Sequence, residues 1–355
     1  MRMGDTIARL SALKAQVGAK LGASRLTPLD DFGSNPGELI GHSYVPQGLQ
    51  PGAPLVVVLH GCTQTAAGYD AGSGWSELAD RHGFALLYPE QRSANMANLC
   101  FSWYLTEDSR RGSGEPASIM AMVDAMVARH AIDADRVFVT GLSAGGAMAS
   151  ILLATYADRF AAGAIIAGLP YRCATDMRQA LERMRGHGGP NVAELARLIR
   201  DASPGTAWPR VAVWHGGADR TVAPSNARMI VDAWRAVHGI AAGPVLDEAR
   251  GKHARRVWRD TGGRDAVEEH IVAGMGHGTP IDPDGPAGCG TAMPFMLDVG
   301  VSSTQAIAAS FGIAPAVAQS AKPAKPRGSS PAAPAGPAGV GRVIDDALRA
   351  AGLVR

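Results

Sequence analysis

From residue 39 to residue 312, short apolar, β-branched runs alternate with stretches of helical periodicity. The runs PLVVVLH (54–60), FALLYP (84–89), RVFVTG (136–141), AAGAIIAG (161–168), VAVWHG (211–216) and VEEHIVAG (267–274) are bounded by turn residues and predict strands. Between them the pattern predicts helices around 74–82, 115–130, 144–157, 225–238 and 302–311. Strands that are apolar throughout, rather than alternating, are buried on both faces. The fold class that follows is three-layer α/β, a mainly parallel sheet with helices on both sides.

Two segments break this rhythm. Residues 174–202 carry two polar-rich helical stretches split by GHGGP, which predicts an insertion over the sheet edge or a lid. Residues 314–341 are dominated by Ala, Pro, Gly, Ser and Lys, a composition that cannot build a core and predicts an extended, solvated linker. The expected organisation is an N-terminal extension over 1–38, one α/β domain over 39–313, the linker over 314–341, and a short C-terminal helix over 342–355.

Composition narrows the function classes. A chain of 355 residues can bury a substantial core without metal or disulfide staples. With a formal net charge of +2 and 19% charged residues of both signs intermixed, nothing points to a nucleic-acid partner. The first 24 residues carry Arg and Lys throughout and read as an amphipathic or frayed helix rather than a secretory leader. No apolar run is long enough to predict a membrane span. The four cysteines, Cys62, Cys100, Cys173 and Cys289, lie far apart and form no C-x-x-C metal pair, so neither a metal site nor a cofactor is expected. Two disulfides and four buried thiols both fit that spacing.

The chemistry gathers around Gly141-Leu142-Ser143-Ala144-Gly145. With a strand before it and a small-residue helix after it, this G-x-S-x-G predicts a nucleophile elbow, in which the serine stands at a tight strand-to-helix turn. The flanking glycines remove Cβ atoms that would collide as the chain doubles back. A serine hydroxyl needs a base oriented by a carboxylate, and the α/β-hydrolase order is Ser, then Asp or Glu, then His. Asp219 follows the strand 211–216 and is the candidate acid, its other reading being a cap before Val222-Ala223-Pro224. Of ten histidines, His277 alone hangs in a glycine-rich loop directly after the last predicted strand, and it is the candidate base. An oxyanion needs two N–H donors. Ala144 should supply one, and the loop LHGCTQT the other, with Cys62 the first choice and Thr63 the second. His60 reads as a structural prop of that loop.

At these residues the chain resembles the esterases related to poly(3-hydroxybutyrate) depolymerases, neighbours of the feruloyl and acetyl-xylan esterases. The resemblance rests on LHGCTQT, LADRHGFALLYPEQ, CFSWY followed by RRGSGEPASI, GLSAGGAM, WHGGAD and GMGHGTPID, with GCG and PFMLDVGVSST beyond them. Its order, oxyanion loop before serine box, is similar to the type 1 depolymerase arrangement. It implies an α/β-hydrolase fold, His60 in the oxyanion loop, Ser143 as nucleophile, Asp219 as acid and His277 as base. It further implies Trp103 and Tyr104 as an aromatic wall near the acyl pocket, and Cys62–Cys289 as a disulfide, with Cys100–Cys173 left over. The substrate it implies is an ester, polymeric or short. The family setting is extracellular, although no leader is visible here. An amidase or peptidase would need a site for the amine, and a binding protein would not need an intact triad. Neither alternative fits as well as a serine ester hydrolase.

Overall fold

The computed structural model describes residues 24–205 and 207–316. The predicted linker beyond residue 316, the closing helix and residues 1–23 of the N-terminal extension lie outside the described residues. Twelve strands are present among them: β1 (Thr27–Pro28), β2 (Ile40–Tyr44), β3 (Leu55–Leu59), β4 (Ala85–Glu90), β5 (Val137–Leu142), β6 (Ala162–Ile166), β7 (Arg210–Gly216), β8 (Leu246–Arg250), β9 (His253–Arg259), β10 (Asp265–Val272), β11 (Thr279–Ile281) and β12 (Met296–Asp298). Ten form one sheet in the order β1-β2-β4-β3-β5-β6-β7-β10-β9-β8.

The six strands from β4 to β10 in that order pair in parallel and are the six expected from the apolar runs. Antiparallel strands flank them at both ends. Along the parallel strands successive side chains point to opposite faces. Leu55, Val57 and Leu59 enter one core and Val56 and Val58 the other.

Helices cover both faces. On the first lie α3 (Gly114–His130), α4 (Ala144–Thr155), α6 (Val192–Ala202) and α7 (Ser225–Val237), and on the second α1 (Ala66–Ser73), α2 (Trp75–His82) and α8 (Ser303–Ser310). The remaining helix, α5 (Met177–Met184), buries little beyond Ala180. Within residues 174–202, predicted as an insertion over the sheet edge or a lid, the second helix packs into the core. The α6 residues Leu195, Ala196 and Ile199 are buried in the same core as α4 and α7, so α6 belongs to the helical layer.

The sheet also begins earlier than residue 39. Thr27–Pro28 pairs with Ser43 and His42, and Leu29 is buried. Residues 25–38 therefore pack against the domain as part of its edge. Among the described residues no helix is long and apolar enough to cross a membrane.

Candidate active site

All parallel strands end on one side, and the loops leaving β3, β5, β7 and β10 meet there. Ser143 stands between β5 and α4 with φ +57° and ψ −116°, a conformation costly for any residue with a side chain. Two close approaches enforce it. A Cβ at Gly141 would lie 2.3 Å from the Gly145 carbonyl oxygen, and one at Gly145 would lie 2.4 Å from that of Leu59. The turn is therefore packed against the end of β3, which brings the 60–63 loop beside Ser143.

The β7 and β10 loops are zipped together by main-chain bonds from Gly217 N to Val272 O and from Ala218 N to Met275 O, each 2.9 Å. This places Asp219 against His277. Asp219 Oδ2 accepts from His277 Nδ1 at 2.7 Å, which leaves Nε2 free of a proton and 2.9 Å from Ser143 Oγ. Asp219 Oδ1 accepts the N–H groups of Thr221 and Val222 at 2.8 and 2.9 Å, so the residue closes its own turn as well as orienting the imidazole. Burial alone would raise the pKa of this carboxyl. The hydrogen bonds from His215 and His277 outweigh burial and hold it well below the usual carboxylate range.

His215, at the end of β7, is the second histidine on that carboxylate. It is fully buried, its Nε2 donates to Val222 O at 2.9 Å, and the same nitrogen lies 3.4 Å from Asp219 Oδ2. The i, i+4 spacing in WHGGAD was the signal available.

Beside Ser143, the Cys62 and Ala144 N–H groups have no hydrogen-bond partner among the described residues, Ala144 being in the first turn of α4 where such groups are orphaned. Thr63, the second choice, is excluded because its N–H is spent on Asn98 O at 2.7 Å. His60 is buried within this loop. Its Nδ1–H donates to Gly61 O at 2.8 Å, its Nε2 accepts the Gln91 N–H at 3.1 Å, and its ring packs on Phe101. Burial lowers its pKa and favours this neutral form.

The described site thus holds a serine hydrogen-bonded to a carboxylate-oriented histidine. Residues 42–255 match the family model described as Esterase PHB depolymerase. The chain belongs to the esterase PHB depolymerase family. It is 46% identical over 291 residues to poly(3-hydroxyalkanoate) depolymerase C of Paucimonas lemoignei, covering 81% of this chain and 70% of that protein. It is 30% identical over 270 residues to feruloyl esterase B of Talaromyces stipitatus, covering 73% of this chain and 74% of the other. A solved acetyl xylan esterase from Aspergillus awamori superposes with a TM-score of 0.69 at 25% identity, over 81% of this chain and 99% of that one. The esterase thus has the α/β-hydrolase fold and is a serine carboxylic ester hydrolase.

The disulfide expectation is corrected. Cys62 pairs with Cys100, whereas Cys173 and Cys289 are free and buried. The reason is topological. β3 and β4 are sheet neighbours, so the loops leaving their ends, which carry Cys62 and Cys100, run side by side. Cys289 instead lies over the α1–α2 junction, its thiol near Ser73 O, and burial pushes it up to about 11. Burial likewise pushes the Cys173 thiol up to about 12. Trp103 and Tyr104 pack edge to face, with ring centroids 5.5 Å apart, in the core that also contains Ala144. Two further residues were not singled out in the sequence, Gln91 and Glu115, which stand behind His60.

Proposed function

We propose that the esterase hydrolyses short-chain hydroxyalkanoate oligomers or polyester through an acyl-enzyme on Ser143. The observation that carries this reading is the unbroken hydrogen-bond chain from Asp219 through His277 to Ser143. His277 Nε2 takes the Ser143 proton as Oγ attacks the ester carbonyl. The tetrahedral oxyanion is held by the N–H groups of Cys62 and Ala144. Collapse expels the alcohol, which receives the proton from His277, and leaves the acyl group on Ser143. Water then attacks that acyl group, giving its proton to His277, and the acid departs as Ser143 recovers its hydrogen. Trp103 and Tyr104 form the aromatic wall against which the acyl chain lies.

The hydroxyalkanoate preference is supported by the higher identity to the P. lemoignei depolymerase than to the feruloyl esterase. A feruloyl or acetyl-xylan ester is the second reading, favoured by the awamori neighbour. Parent and Ser143→Ala are compared on a 3-hydroxybutyrate oligomer, p-nitrophenyl butyrate, methyl ferulate and acetylated xylan. The oligomer should be turned over with the highest kcat/KM, and Ser143→Ala should lose at least about 10³ on every substrate. Residual activity within about tenfold would remove Ser143 from its role. A preference for methyl ferulate or xylan would move the substrate to the second reading.

A further inference from the structure

The Glu115 carboxyl is 2% exposed, at the second position of α3, and takes no part in the chemistry just described. A carboxyl in such a place costs free energy unless its hydrogen bonds are met. Its partners come from the two segments that flank the oxyanion loop. Oε1 accepts from Gln91 Nε2 at 2.5 Å, and the Ser102 N–H is shared between Oε1 and Oε2 at 3.1 and 2.9 Å.

Gln91 relays the constraint. Its Nε2 also donates to Cys100 O at 3.1 Å, next to the disulfide that holds Cys62, and its Oε1 accepts from Arg92 N and Asn95 Nδ2. With its side chain fixed in this way, its main-chain N–H is aimed at His60 Nε2, and His60 Nδ1–H is aimed at Gly61 O. The last link follows from covalent geometry. The Gly61 C=O and the Cys62 N–H belong to one planar trans peptide, so fixing the first fixes the direction of the second.

We propose that Glu115 is a positioning residue for ester hydrolysis, holding through Gln91 and His60 the peptide plane that aims the Cys62 N–H at the oxyanion. The inference rests on Cys62 and Ala144 being the oxyanion donors. A residue of this kind acts on the transition state and little on bound substrate. A purely structural residue would lower the amount of folded protein and leave the kcat of the folded fraction alone.

Steady-state kinetics on p-nitrophenyl butyrate and inhibition by phenylboronic acid, which forms a tetrahedral adduct on a reactive serine, test it. In Glu115→Ala the kcat per folded active site should fall about 10- to 100-fold, part of the ~10²–10³ lost when a donor is removed outright, with KM within about threefold. Phenylboronic acid should weaken in step with kcat. Glu115→Gln keeps an acceptor at Oε1 and should recover most of the loss. Should Glu115→Ala not fold, Gln91→Leu cuts the same link and carries the same expectations. A kcat within about threefold of the parent in the folded variant overturns the proposal, as does a loss in Glu115→Gln as deep as in Glu115→Ala. Inhibition that is strong and equal in parent and variant overturns it while leaving the oxyanion donors in place. No inhibition of the parent removes those donors, and the proposal falls with them.

Discussion

Replacing Glu115 by Gln should change how stability depends on pH. Burial, reinforced by the nearby Asp108 carboxylate and only partly opposed by the bonds from Ser102 and Gln91, pushes the Glu115 carboxyl from 4.5 up to about 8. In the unfolded chain it releases its proton near 4.5, so between there and about 8 the folded protein holds the extra proton. The stabilisation is complete below 4.5 and is lost as pH rises through about 8. At about 1.4 kcal/mol per pH unit the whole interval corresponds to about 5 kcal/mol. Gln does not titrate. Groups with depressed values, such as Glu268 at about 2, which is buried but held down by His270 and Arg255, lose their stabilisation as pH falls, and they do so equally in both proteins. Urea unfolding with the disulfide intact, at about pH 5 and about pH 8.5, gives the two stabilities. The parent should lose several kcal/mol more than Glu115→Gln between those conditions. Profiles parallel to within about 1 kcal/mol would refute the reasoning, because a carboxyl already ionised in the folded protein contributes no such slope.

Two further outcomes follow from the site. Asp219→Asn should lower kcat by about 10³–10⁴, since an amide favours the wrong imidazole tautomer, and a loss below about tenfold would place the orienting group elsewhere. Cys100→Ser opens a bridge spanning 38 residues, which should cost about 2–4 kcal/mol in unfolding free energy and slow turnover by loosening the Cys62 loop. Alkylation of denatured, unreduced parent followed by mass spectrometry should find two free thiols and one bridge, and four free thiols would refute the pairing.

The parts of this esterase that were legible in the sequence are those whose physics is local. Each of the six parallel strands is buried on both faces and therefore announces itself as a continuous apolar run. β2, β8 and β9 lie outside those six and mix Ser, Asp, Glu, His and Arg into their pairing, so no run marks them. The α1 sequence AAGYDAGS is a poor helix former that is held by a Thr65 cap. The contact of Ser143, His277 and Asp219 could be anticipated because an elbow and two post-strand loops leave short signatures. The Cys62–Cys100 bridge, the His215 contact to Asp219 and the Glu115–Gln91–His60 relay depend on which strands become neighbours, and sequence spacing does not carry that information.

Among the described residues the ten-stranded open sheet ends in two edges, β1 and β8, and an unpaired edge is a template on which another chain can add a strand. Both edges of this sheet are poor templates. β1 is two residues long and ends in Pro28, which has no N–H to offer. β8 carries Asp247, Glu248 and Arg250 along five residues, so an incoming strand would have to desolvate charges of both signs. The flanking antiparallel strands thus stand between the apolar parallel ribbon and any strand that would add to the sheet.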